Sequence, residues 1–397
     1  MREQKEFNVA ILGEEESAGV IRDFKEPHPY EREFSIFKVV AIWDANEEYA
    51  RTVEASRGVP YRPLEDILND PTIDIIQNDV MGETGDKLSK MILEHGKHLS
   101  TVKYLAYDFE RGKELIRIAR EKGLRITTNP DCVLGANMQT ARYIVDHGII
   151  GKVNSGVISF SRDNRVIAEN LPYLYEPGGN VLWDMSGYYL YSLVNILGPV
   201  RSVKASCVKT HEPHRIRKVN SPLYGETIQQ EDYDILTAIF EFESGALVTV
   251  HLNSSTLQYQ RWVFDLFGED GVISMNHPHD FYRPVYVQKN MPGATQVNQE
   301  PFEFPLCFGF TDWKHFGGLG IAEMCWAIVN NRPHRVNEEF SLHMLELAWA
   351  IEESGRTGET YQMTTTTKRI PQLPQGYTGN GFYTIDEESA LAYPVEE

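Results

Sequence analysis

The stretch that most restricts the fold is FNVAILGEEESAG, from Phe7 to Gly19. An apolar strand, Val9 to Leu12, runs into Gly13 and then into a segment of helical pattern. A dinucleotide-binding α/β domain begins in this way, because the first helical turn offers unpaired N–H groups to a pyrophosphate. The loop chemistry opposes that reading. A standard fingerprint has three glycines, whereas here Gly13 is followed by Glu14, Glu15 and Glu16 before Ser17, Ala18 and Gly19. One carboxylate about 5 Å from a phosphate repels it by roughly 3 kcal/mol at an effective dielectric near 20. Either the glutamates turn outward, or Arg22 or Lys25 compensates them, or they themselves fill the positive end of the helix. Changing all three to small residues is therefore expected to tighten NAD binding.

The pattern downstream extends the first reading. After a charged connection near Asp23 to Glu33, the run IFKVVAIWD ends at Asp44, read as a second strand closed by an acid. An acid there accepts ribose hydroxyls and favours NAD over NADP. It lies 31 positions beyond Gly13, where about 20 is usual, so the connection must be an insertion. A helix from Glu47 to Ser56, a strand from Ile73 to Ile76, a helix through Leu88, Met91 and Ile92, the strand KHLSTV, a helix through Leu115 and Ile118 and the strand LRITTN continue the alternation. Such alternation implies parallel βαβ units, so residues 1–128 are expected to form a doubly wound, Rossmann-type domain.

Beyond Pro130 the rhythm changes. After one helix over Leu134 to Val145, alternating or β-branched runs appear at VNSGVISF, VRSVKAS, YDILTAIFEF, ALVTVHL, WVFDLFG and PVYVQ. These predict an α+β domain over 129–397 with a large, mostly antiparallel open sheet, one face of it covered by helices. Two late helices, Ile321 to Val329 and Leu342 to Glu353, precede an extended C-terminal arm containing TTTT. The length of 397 residues suits two domains.

Composition narrows the partners. With 57 acidic against 38 basic residues the net charge is −19, which opposes binding to nucleic acid or anionic membranes. Cys132, Cys207, Cys307 and Cys325 form no C-x-x-C pair, and no ligand cluster suggests a metal. No run reaches membrane-spanning length and MREQKEF lacks a signal-peptide core, so a cytoplasmic protein is expected.

The phrases VDHGIIGKV (Val145 to Val153), GGNVLWDMSGYYL (Gly178 to Leu190) and GLGIAEMCWAIVNNRPHR (Gly318 to Arg335) resemble the Gfo/Idh/MocA family, that of glucose-fructose oxidoreductase and inositol dehydrogenase. The resemblance runs over nearly the whole chain. It implies NAD(P)-dependent oxidation or reduction of a sugar, glycoside or polyol carbon. It also implies a homodimer or homotetramer joined through the second domain's sheet. The family's Glu-Lys-Pro triplet falls on Val102, Lys103 and Tyr104, and its Asp-x-x-x-His pair falls on Asp184 and Tyr188. The lysine survives and the histidine is a tyrosine.

Hydride transfer from an alcohol needs a base for the hydroxyl proton and a donor or cation for the developing alkoxide. Lys103 is the candidate cation and Tyr188 the proton carrier, since a nearby ammonium favours a phenolate. Asp184 would orient Lys103 or accept a substrate hydroxyl. The candidate cofactor site comprises Gly13, Glu15, Ser17, Gly19, Asp44, Asn78 and Lys103, with NAD the expected cofactor unless the acidic loop excludes it. Arg162, Asn164, Asn180, Trp183 and Tyr189 are the candidate substrate contacts, aromatic faces meeting a sugar's C–H face and polar tips its hydroxyls. Because loop, lysine context and histidine all depart from the family pattern together, a second reading stays open. In it the chain is a non-catalytic subunit or sugar-binding partner of an active relative.

Overall fold

The computed structural model describes residues 6–13, 36–164, 174, 178–210, 212–219, 221, 223–229, 232–256, 262–289, 300–306 and 318–373. These divide into two compact units, one of residues 6–131 with 318–345, the other of residues 132–306 with 346–373.

In the first unit five strands, β1 (Phe7–Gly13), β2 (Phe37–Asp44), β3 (Ile75–Asn78), β4 (His98–Thr101) and β5 (Ile126–Thr128), form a parallel sheet in the order β2-β1-β3-β4-β5. The helices between them are α1 (Glu47–Arg57), α2 (Leu64–Asn69), α3 (Gly82–Glu94) and α4 (Phe109–Lys122). Local chemistry sets their ends. Asn46 caps α1 by accepting the Tyr49 N–H at 3.1 Å, and Asp108 caps α4 by accepting the Arg111 N–H at 2.9 Å. Gly58 and Gly123 close the same two helices at φ 70° and 67°, a conformation in which glycine carries no Cβ penalty. Strand β3 starts at Ile75 rather than at the expected Ile73. Ile73 is buried, but the Asp74 carboxylate accepts the Asn8 N–H at 3.0 Å, and pairing with β1 begins only at Val9 and Ile75.

The segment 318–345 packs with this sheet. Ile321, Ala322, Met324 and Cys325 of α5 (Leu319–Val329) bury against Phe7, Val9, Ile36 and Ile75. The Glu338 carboxylate accepts the Ile126 N–H at 3.0 Å, and His334 Nε2 donates to the Ile126 carbonyl at 2.6 Å, so edge strand β5 is tied down. The following helix, α6 (Glu338–Thr357), is longer than the expected Leu342 to Glu353 and continues into the second unit.

The second unit is built on a nine-stranded sheet. Its strands are β6 (Val153–Ser161), β7 (Val200–Val208), β8 (Ile235–Phe242), β9 (Leu247–Asn253), β10 (Val263–Gly268), β11 (Gly271–Ser274), β12 (Val285–Lys289), β13 (Phe302–Phe304) and β14 (Tyr361–Gln362). The order is β13-β12-β11-β10-β6-β9-β8-β7-β14; the pair β6 and β9 is parallel and its other neighbours are antiparallel. Alternation along β8 and β9 buries Leu236, Ala238, Phe240, Val248, Val250 and Leu252 while their neighbours face outward. Two helices, α7 (Ala136–Asp146) and α8 (Gly187–Leu197), belong to this unit, and the latter is buried nearly throughout.

The expected extended arm is docked as far as residue 373. Strand β14 pairs with β7, and Leu373 N–H donates to Gln139 at 2.8 Å. The remainder of the arm, the glutamate loop and the connection from Asp23 to Glu33 lie outside the described residues.

Candidate active site

Strand order reverses between β1 and β3, and open α/β sheets bind ligands at the carboxyl ends of their strands at such a switch. The register decides which residues meet there. Gly13 lies opposite Asp44, Leu12 opposite Asn78, Asn78 opposite Thr101, and Thr101 opposite Thr128. Asp44 is buried and accepts the Asn46 N–H at 2.8 Å. The edge also carries polar atoms that nothing in the described residues satisfies, Thr101 Oγ1 and Asn129 Oδ1. A buried oxygen without a partner is costly, so this edge fits a polar ligand such as a nucleoside.

Lys103 follows β4 and is buried, with φ 55°. A non-glycine residue in the left-handed region is strained by about 1–3 kcal/mol, and such strain concentrates at functional positions. Asn78, expected to face a cofactor, has its side chain committed elsewhere. Its amide donates to the Gly85 carbonyl at 2.8 Å and to Ser89 Oγ at 2.9 Å, while its oxygen accepts the Val80 N–H at 3.2 Å. It therefore bolts α3 to β3. A Cβ at Gly85 would stand 2.0 Å from the Val80 carbonyl, so the close approach depends on that glycine. Glu15, Ser17 and Gly19 lie outside the described residues.

In the second unit the structure brings Arg162, Asn164 and Asp184 together. Arg162, just past β6, forms a buried ion pair with Asp184, and its Nε donates to Asn164 Oδ1 at 2.6 Å. Asp184 sits on a π turn, Leu182–Ser186, that leads into α8. Such a turn changes the angular spacing of side chains, so positions 184 and 188 do not share a face by α-helical register. Asn180 and Trp183 form a separate group. Asn180 Oδ1 caps the turn by accepting the Leu182 N–H at 2.8 Å, and the Trp183 indole N–H donates to Glu352 at 3.1 Å. Burial raises the Glu352 carboxyl above its ordinary range. Asn180, Trp183 and Tyr189 are buried in the packed interior of this unit, and burial pushes the Tyr189 phenol well up.

Tyr188 remains half-buried, and two histidines that sequence reasoning missed surround it. Its ring meets His279 edge-on at 3.7 Å between centroids and lies 5.7 Å from His277. Both belong to the segment NHPHD after β11. The signal for them was that pair of histidines at one-residue spacing, but nothing local links them to a tyrosine some ninety positions earlier. Burial, helped by the Arg162 charge, lowers His277 to about 4, so its imidazole is neutral at physiological pH. Tyr188 thus carries imidazoles packed on its ring.

A parallel five-stranded sheet with an acid at its switch point, followed by a second unit with a large mixed sheet, defines a two-unit architecture of Rossmann type. The chain belongs to the Gfo/Idh/MocA family. The family's profile described as oxidoreductase, NAD-binding Rossmann fold, matches residues 7–129, and that of its C-terminal domain matches 138–274, so the two span more than half the chain. D-xylose dehydrogenase of Paenarthrobacter nicotinovorans is 32% identical over 202 residues, 48% of this chain and 50% of that protein. The scyllo-inositol 2-dehydrogenase (NADP(+)) of Bacillus subtilis is 21% identical over 167 residues, 41% of this chain and 47% of that protein. The chain spans about half the length of these curated relatives. In fold it is similar to an oxidoreductase of Agrobacterium radiobacter solved with NAD+, L-tartaric acid and magnesium. The TM-score is 0.71 at 16% identity, covering 90% of this chain and 98% of that one.

Proposed function

We propose that this protein is an NAD(P)-dependent oxidoreductase acting on a hydroxyl or keto group of a sugar, glycoside or polyol. The observation that carries the reading is the pairing of Gly13 with Asp44 at the switch point, an acid placed to accept ribose hydroxyls. Asp44 favours NAD over NADP, whose added phosphate it would repel. Residues 1–128 would hold the cofactor, and 129–397 would hold substrate and the oligomer contact. The nicotinamide, when bound, supplies the hydride acceptor.

The chain's own residues handle the proton. Tyr188 takes the substrate's hydroxyl proton, and Lys103, held by a strained backbone, stabilises the alkoxide. Asp184 balances Arg162, which leaves Arg162 and Asn164 as a fixed polar wall for substrate oxygens. A homodimer or homotetramer forms through the outer face of the sheet, where Val157 and Ile239 flank Thr249 in one row and are 37% and 49% exposed. Light scattering tests that assembly. The protein works in the cytoplasm, which a fluorescent fusion tests.

The deciding experiment is calorimetric titration with NAD and NADP, followed by a sugar and polyol screen read by nicotinamide absorbance. Micromolar binding with turnover supports the reading. Absence of both would leave a non-catalytic, sugar-binding subunit.

A further inference from the structure

We propose that His277 is a substrate-binding residue whose Nε2–H donates to an uncharged acceptor oxygen of the carbohydrate, holding it beside Tyr188. The inference rests on the reading above and adds a residue from a different element.

The tautomer follows from a backbone contact. Nδ1 of His277 accepts the His279 N–H at 3.1 Å, so its single hydrogen is on Nε2. Among the described residues Nε2 meets no acceptor, and His277 keeps 9% of its surface exposed. A ring N–H with no partner among the described residues that keeps some exposure is a donor open to a ligand oxygen. Two buried polar atoms of this neighbourhood lack partners among the described residues, Tyr189 Oη and Asn164 Nδ2. The Tyr189 ring lies 5.3 Å from His277, and Asn164 is bonded to the Arg162 whose charge bears on His277.

The charges around His277 set the ligand class. Arg162 is matched by Asp184, Asp280 adds no positive charge and burial pushes its carboxyl up, and Tyr188, Tyr189 and His279 contribute ring faces and edges. No unbalanced cation faces the group among the described residues, so a phosphate or carboxylate has no counter-charge here. A hydroxyl, ring or keto oxygen needs none. Trp262, edge-on at 5.2 Å, adds an apolar surface suited to the C–H face of a sugar. Burial and Arg162 keep the imidazole neutral, so the donor persists across the working pH range.

The test uses the full-length protein, with His277→Phe and His277→Gln as variants and D-xylose and scyllo-inositol with NAD as probes. Phenylalanine keeps the ring and removes the donor, whereas glutamine keeps an N–H. His277→Phe is expected to raise KM about three- to tenfold, the loss of one neutral hydrogen bond, with kcat nearly unchanged; His277→Gln recovers most of that loss. In parallel, the 15N imidazole spectrum of the wild type, assigned by the signal lost in His277→Gln, should show a protonated Nε2 that shifts on adding sugar. Turnover with an unaltered KM in His277→Phe and no sugar-dependent shift would overturn the inference while the oxidoreductase reading stands. A shift without turnover would keep the binding role and remove the redox reading. Neither shift nor turnover would overturn both.

Discussion

Glu346 offers the sharpest test of how the C-terminal strap is held. It is fully buried on α6, and five donors converge on its carboxylate. Oε1 accepts Tyr361 Oη at 3.0 Å, the Thr364 N–H at 2.8 Å and the Thr364 hydroxyl; Oε2 accepts the Thr365 N–H at 2.7 Å and its hydroxyl at 2.5 Å. Glu346→Gln replaces one oxygen by an NH2 group. A hydroxyl can rotate to accept from that group, but a backbone N–H cannot. One of the two threonine N–H groups is then orphaned at about 1–3 kcal/mol, and the remaining bonds lose their charge assistance, for a total of about 2–4 kcal/mol. For a unit of this size that is roughly a 5–15 °C fall in melting temperature, read by scanning calorimetry. Limited proteolysis with mass mapping should show new cuts after Thr357.

The pH dependence has a definite sign. Burial pushes the Glu346 carboxyl up, but the hydroxyl and N–H groups of Thr364 and Thr365 outweigh it and leave the folded value lowered. A depressed acid contributes stability above its unfolded value, near 4.3, that is lost as pH falls through the folded value. The difference between wild type and Glu346→Gln should therefore be full at pH 7 and shrink below about pH 4.5. A melting temperature within about 1 °C of wild type at pH 7, with unchanged cleavage, would refute the clamp.

Three further predictions follow from other sites. Asp184→Leu should destabilise by about 3–5 kcal/mol by stranding a buried guanidinium, and adding Arg162→Met should recover much of that loss in denaturant titrations. Burial raises Asp86 to about 6 against the bonds from Arg111 and Tyr107, so its ionisation weakens the fold as pH rises from about 4 to 6. Asp86→Asn should flatten the stability curve in that window, and a parallel curve would refute the assignment. Tyr188→Phe should lower kcat about a hundredfold or more at nearly unchanged melting temperature, and full activity would remove Tyr188 from the proton path.

Local sequence determined much of this protein. The apolar run ending at Gly13, the run ending at Asp44 and the helical periods between later strands specify parallel βαβ units, because strand and helix periods and their caps are properties of near neighbours. The alternating runs beyond residue 150 likewise specify a half-exposed sheet, and the family resemblance nominates Lys103, Asp184 and Tyr188 as candidates. Tertiary structure decided the rest. Sheet register set Gly13 against Asp44; a close approach at Gly85 turned Asn78 inward; folding of the second unit gave Asp184 to Arg162 and set His277 and His279 on Tyr188. The TTTT run reads as loose polar chain until Glu346 supplies the acceptors that hold it. These partners lie from 7 to about 90 residues apart, and a side chain's charge and hydrogen bonds depend on the neighbours that folding brings to it.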